Sequence, residues 1–289
     1  MSLILAGDGW RMPDDFWSCV APLIPAPPDP KLHPLGCQRQ RRDPRDVLDA
    51  ILFVLRTGCH WKALDATLYG VSGSTAWRRF EEWTRAGVFA RLWSDLLGDY
   101  DDEVGIDWQW LACDGAMTKA PRGGSATGDN PTDRAKSGAK RSLLTEAAGM
   151  PLAIVAAGAN VNDHLLLGET IDQIVVDVPT PSALEARGRA PEVGLCLDKG
   201  YDYASTYTQL AELGWIGHVR SRGEEALDLR AIPGYRARRW VVERTHSWLN
   251  RFRRLLVRWE RKVANHLGFL QLACAVIVWR SLPSKRAAY

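Results

Sequence analysis

The sequence predicts an α/β protein in which a mixed sheet with covering helices follows an all-helical region. Two observations carry this reading. Up to about Leu97, apolar residues recur every three or four positions, as in helices; beyond Gly105, short apolar runs of strand length alternate with helical spacings. Two of those runs, residues 108–113 and 193–197, are each followed at once by an aspartate, Asp114 and Asp198. A length of 289 residues suggests two units on a prior of about 150 residues per domain. We expect residues 1–100 to form the helical unit and 105–282 the α/β unit, divided where residues 99–105 break the helical pattern.

Seven prolines between residues 13 and 36 leave room for one short helix from Asp14 and make the rest an arm. Asp43-Pro44 supplies an N-cap and a first-turn proline, Val47, Ile51, Val54 and Leu55 continue the spacing, and Gly58 stops it. After a turn over residues 64–71, Ser72 opens a second helix predicted to run to Leu97, with Trp77, Phe80 and Trp83 apolar and Arg78, Arg79 and Arg85 on the outside. The pair fits a helix-turn-helix unit with Arg78 and Arg79 facing a DNA groove; a plain helix hairpin fits equally.

In the second unit, residues 108–113 read as a strand ending at Asp114-Gly115, and residues 119–138, rich in Gly, Pro and charge, as a loop. Residues 142–146 and 152–157 flank a turn and read as a hairpin. Asn162-Asp163 opens a helix to about Val176. Residues 193–197 form a strand ending at Asp198, 203–213 a helix, and 215–219 a further strand. Residues 234–262 read as one long helix with an apolar stripe of Val241, Thr245, Trp248, Phe252, Leu255 and Trp259. Its other face carries Arg236, Arg239, Glu243, His246, Asn250 and Arg254. Ten basic residues against Glu243 and Glu260 give this stretch a net +8, while the chain carries +3. Such concentration suits a polyanion lying along it; a solvated face is the plainer reading.

The apolar stretch 267–279 is too short for a comfortable membrane span and reads as a buried helix. The N-terminus has acidic residues where a secretory signal would be basic, and the six cysteines form no CxxC or CxxH pair. We therefore expect no export, zinc finger or disulfide scaffold, but reduced thiols in a cytoplasmic protein. Packing explains most of the 13 tryptophans, with one or two available for base stacking.

If the two strands neighbour each other, Asp114 and Asp198 stand side by side in the crevice beyond their carboxyl ends, where open α/β sheets bind ligands. Paired carboxylates are costly without cations, and hard divalent ions prefer oxygen ligands and phosphate. Glu243, set among guanidinium groups, would complete a metal set for phosphodiester chemistry, the arginines holding the strand. Either aspartate alone could simply begin a turn.

These residues resemble a known family. CDGAMTKAP with NPTDRAKSGAKRSLLTEAAGMPL, ANVNDHLLL, CLDKGYD and RRWVVERTHSWLNRFRRLLVRWER are similar to the three blocks of DDE-type insertion-sequence transposases, closest to the insertion-sequence-five family in the insertion-sequence-four superfamily. RRDPRDVLDAILFVLRTGCHWKALD resembles their N-terminal helical domain. The resemblance implies a ribonuclease-H-like core, Mg²⁺ or Mn²⁺, with two ions, and cleavage and rejoining of double-stranded DNA at the element's terminal inverted repeats and a target. It also implies a DNA-bound dimer in a nucleoid-associated bacterial protein. The acidic triad falls on Asp114, Asp198 and Glu243, separated by 198 − 114 = 84 and 243 − 198 = 45 residues. Of the Tyr, Arg and Lys around the superfamily's Glu, Arg239 matches; Arg236 and Asn250 stand at the Tyr and Lys positions. Arg251 and Arg254 are then candidates for phosphate contact, as are Lys119, Lys136 and Lys140 near the first aspartate. A silent DNA-binding relative and a nuclease without strand joining are the alternatives.

Overall fold

The computed structural model describes residues 11–26, 41–219, 227 and 240–286. Its helical region begins with α1 (Asp14–Val20), then α2 (Pro44–Thr57), α3 (Ala66–Tyr69), α4 (Gly73–Arg85) and α5 (Val88–Glu103). α2 starts as expected: the Asp43 carboxylate accepts from the Arg45 N–H, and Pro44 fills the first position. Residues 58–72 separate α2 from α4 and contain α3, a longer connection than a tight helix-turn-helix turn. The single helix expected from Ser72 is two, because Gly87 adopts a left-handed φ of 73° between α4 and α5. α5 then runs through the stretch expected to break at residue 99 and ends only at Val104.

The sheet contains β1 (Leu111–Lys119), β2 (Gly128–Asp129), β3 (Ser137–Thr145), β4 (Pro151–Gly158), β5 (Val193–Leu197) and β6 (Trp215–Val219). Its order is β2-β3-β1-β5-β6, with β4 also on β3. β1, β3 and β4 are antiparallel, whereas β1–β5 and β5–β6 are parallel. This is the mixed sheet of a ribonuclease-H-like core. α6 (Asp163–Asp172), α7 (Pro181–Ala186) and α8 (Ala204–Glu212) belong to the connections before β5 and β6. The expected strand end at Asp114 is not one: β1 continues five residues further, held by β3.

The long helix expected over residues 234–262 is shorter. α9 (Trp240–Asn250) stops before a 3-10 turn at Arg253–Leu255, and the chain then meets the end of β1 in a single parallel bridge, Val257 opposite Lys119. There the Arg258 N–H donates to the Lys119 carbonyl at 2.8 Å and the Thr118 hydroxyl to the Leu256 carbonyl at 2.7 Å. Phe252 and Leu255 are buried, so their spacing imitates a helix stripe, but Trp259 is exposed. α10 (Val263–Trp279), the buried helix expected near the C-terminus, packs against α5, α4 and β4, and α11 (Pro283–Arg286) follows. Phe80 of α4 stacks on Phe269 of α10 with ring centroids 4.1 Å apart. One apolar core therefore runs from the N-terminal helices into the sheet. Among the described residues no helix is long and apolar enough to cross a membrane.

Candidate active site

The parallel pairing of β1 and β5 builds the site. Leu111 and Ala112 stand opposite Leu195 and Cys196. Carrying that register two residues further sets Asp114 opposite Asp198. Strand alternation puts Asp114 on the same face as Arg141, the face packed by α9; Gly115 and Lys140 lie on the face packed by α6. Asp198 caps a 3-10 turn, its Oδ1 accepting from the Gly200 N–H at 2.8 Å. Glu243 lies in the first turn of α9 and is exposed.

Asp114 feels this crowding. Burial pushes its carboxyl up to about 6, the Gly115 N–H at 2.8 Å pulls it down, and the charges of Asp198, Asp163 and Glu243 push it up again. A divalent cation would reverse both the burial and the repulsion. Among the described residues, no three His, Cys, Asp or Glu side chains already form a closed metal-holding group. The acids thus share an electrostatic field without being drawn into a ligand cage. Their donor chemistry, carboxylate oxygens alone, fits a hard divalent ion.

Asp163, read from the sequence only as the start of a helix, is the unexpected fourth acid. Its Oδ2 accepts from Lys140 Nζ at 3.1 Å, while its Oδ1 is buried without a hydrogen-bond partner among the described residues. A Cβ on Gly115 would lie 1.8 Å from that Oδ1, so only glycine lets Asp163 approach the strand this closely. The neighbouring His164 ring stacks on Tyr203 at 3.8 Å, tying α6 to the segment after Asp198.

The cations proposed from sequence divide by environment. Arg78, Lys119 and Lys136 are exposed, Lys119 in a 3.4 Å ion pair with Asp133. Arg79 is half-buried and paired with Glu82. Arg251 is exposed and borders a cavity of about 440 Å³ with Arg244, Trp248 and Arg280. Lys140 is buried instead, also donating to the Val161 carbonyl at 2.7 Å, so it is a fastening inside the fold and no surface phosphate contact. Arg254, expected on an exposed helix face, is likewise buried: Nε and Nη2 donate to Glu260 at 2.8 and 2.5 Å, and Nη1 donates to the Cys59 carbonyl at 3.0 Å. Arg239 and Arg236 lie outside the described residues.

His246, also expected on the exposed face, is buried and touches the core. Burial first, and then the Arg141 guanidinium, hold its imidazole down at about 3, so it is neutral at physiological pH. Arg141 Nε donates to His246 Nδ1 at 3.1 Å, and His246 Nε2 lies 3.3 Å from the Asp114 carbonyl oxygen. Arg141 Nη2 also donates to Asn250 Oδ1 at 2.7 Å. The sequence showed two adjacent cations at residues 140 and 141 but gave no sign of their burial.

Comparison with known proteins agrees with this geometry. Residues 12–93 match the family model described as "Putative transposase of IS4/5 family (DUF4096)", and residues 107–278 match "Transposase DDE domain". The Burkholderia cepacia protein described as "Putative transposase for insertion sequence element IS402" is 41% identical over 159 residues, covering 54% of this chain and 70% of its own. A second Burkholderia cepacia protein, "Insertion element IS402 uncharacterized 16.2 kDa protein", is 35% identical over 125 residues, covering 41% of this chain and 79% of its own. Among solved structures, the catalytic domain of Mos1 mariner transposase aligns with 66% of this chain and 91% of its own, at 12% identity and a TM-score of 0.28. That superposition is loose, and the fold rests on the sheet order.

Proposed function

Because this chain belongs to the DDE transposase family, we propose that Asp114, Asp198 and Glu243 are its acidic triad, acting on the ends of an insertion sequence. The observation that supports the assignment is the β1–β5 pairing at Leu111 and Ala112, which carried two residues further brings Asp114 level with Asp198, together with the charges of Asp198 and Glu243 felt at Asp114. The three carboxylates would hold Mg²⁺ or Mn²⁺, two ions in our reading. When bound, such ions supply an activated water, charge neutralisation at phosphorus and a stabilised leaving oxygen.

The chain's own residues do the rest. Burial and the Gly115 N–H fix the Asp114 carboxylate at its place on β1. Arg251, Lys119 and Lys136 offer exposed cations for DNA phosphates, and Arg78 does so on α4, where Trp77 is also exposed and the half-buried Arg79 would first have to leave Glu82. Arg239 is included by family position alone. In the first step water attacks the phosphodiester at the element end, leaving a 3′-OH and a 5′-phosphate. In the second that 3′-OH attacks a target phosphodiester, and the displaced target 3′ oxygen takes up the proton. Bringing two ends together calls for a dimer on DNA.

The test is incubation of the full chain with a duplex carrying the flanking inverted repeats and Mg²⁺ or Mn²⁺. Wild type should cut at the repeat ends and join them to target, and Asp114→Asn and Glu243→Gln should each lose at least about a hundredfold of that rate. Equal cutting by either variant refutes the triad.

A further inference from the structure

We propose that His246, fastened by Arg141, is the positioning residue that sets the spacing between Asp114 and Glu243. The inference rests on the triad above. Asp114 belongs to a strand and Glu243 to a helix arriving 129 residues later, since 243 − 114 = 129. Their spacing therefore depends on how α9 seats on the sheet. Apolar packing alone lets a helix slide or roll by fractions of an ångström, whereas directional bonds do not.

His246 lies one turn after Glu243 on α9, and its ring reaches the backbone of Asp114 itself: Nε2 is 3.3 Å from that carbonyl oxygen. Arg141 decides which ring nitrogen carries the proton. A guanidinium has only N–H donors, so the Nδ1 that receives Arg141 Nε at 3.1 Å must be the acceptor, and Nε2 must donate to Asp114. The same guanidinium donates through Nη2 to the His246 carbonyl at 3.3 Å and to Asn250 Oδ1 at 2.7 Å, gripping α9 at two successive turns. Arg141 comes from β3, whose pairing with β1 places it across from Ala116. The bonds thus run from strand to strand to helix and close on the residue that bears the first acid. Burying a guanidinium and an imidazole is costly, and an apolar filler would hold α9 down as well. What the filler lacks is a fixed register.

The experiment compares Mn²⁺-induced thermal stabilisation, with cleavage measured alongside, in wild type, His246→Gln, His246→Leu and Arg141→Lys, using the full-length protein. Gln can still offer an acceptor and a donor; Leu can offer neither. His246→Leu should need roughly tenfold more Mn²⁺ for half-maximal stabilisation, as outer-shell substitutions do, while His246→Gln stays within about threefold of wild type. Arg141→Lys, which keeps the charge and loses the fork, should fall between them. The proposal is overturned if His246→Leu keeps the wild-type Mn²⁺ midpoint, or if Gln and Leu are impaired alike. Should His246→Leu fail to unfold cooperatively, the Arg141→Lys midpoint decides: unchanged from wild type, it sinks the proposal. Asp114→Asn separates this outcome from the parent reading, because retained Mn²⁺ response and cleavage in that variant would refute the triad itself.

Discussion

At the scale of single residues, burial of the Asp114 carboxylate costs the fold stability. Its folded-state carboxyl is raised to about 6 from an ordinary 3.8, mainly by burial. The folded protein therefore binds a proton more readily than the unfolded chain. Its favourable contribution is complete below the unfolded value and is lost as pH rises through about 6. Without divalent ions, Asp114→Asn should be more stable than wild type at pH above 7, by on the order of 1 kcal/mol, and the gap should close toward pH 4. Adding Mg²⁺ should stabilise wild type and leave the variant unmoved. Scanning calorimetry across pH checks this, and a constant difference across the range would mean that the acid does not titrate as its surroundings require. The proposed triad could be picked out at this scale because an apolar run leads up to each of Asp114 and Asp198, although Asp114 lies inside β1 and only Asp198 follows its strand at once. Their supports could not: Asp163 and His246 look like a helix start and a surface histidine until β3 brings Lys140 and Arg141 against them.

At the scale of elements, the return of the chain after α9 was hidden because nothing announces it. Residues 251–262 contain neither Gly nor Pro, and Phe252 and Leu255 are buried at helical spacing within a 3-10 turn and its flank. The turn is held instead by Arg254, whose guanidinium meets Glu260 in a setting where both side chains are only 5% exposed. Glu260→Ala should cost about 3–5 kcal/mol in urea unfolding, because it strands a buried guanidinium. Joint replacement by Met at both positions should recover most of that loss. If Glu260→Ala is neutral, the pair does not hold the turn. It follows that Arg254→Ala should act on stability and leave the salt dependence of DNA binding nearly unchanged, while Arg251→Ala should flatten that slope by about 0.9. By contrast the hairpin of β3 and β4 was legible from its turn, and β5 and the buried helix α10 from uninterrupted apolar runs whose lengths suit a strand and a helix.

For the molecule as a whole, the expected division near residue 100 meets a continuous core. α10, from the far end of the chain, packs against α5, and the Trp93 indole donates to the Pro151 carbonyl at 3.1 Å across the same boundary. Sequence shows a change of pattern there, but a change of pattern does not tell which faces meet. A fragment of residues 105–282 would expose the apolar side of α10 that α5 covers. It should aggregate, or bind a hydrophobic dye without a cooperative melt, whereas the full chain melts cooperatively. A soluble fragment with its own sharp transition would show that the helical region is dispensable to the core.

The two cations at residues 140 and 141 also bear on how this chain can change in length. They sit side by side on one strand and serve opposite faces, Lys140 toward α6 and Arg141 toward α9. A single-residue insertion earlier in β3 would exchange them, turning each toward the wrong helix and carrying every buried neighbour with it. The stretch that precedes β3 is held as well, by the pairing of β2 with β3 and by Arg258 donating to the Ser125 and Ala126 carbonyls. Across Lys140 and Arg141, however, the count of residues is as fixed as their identity.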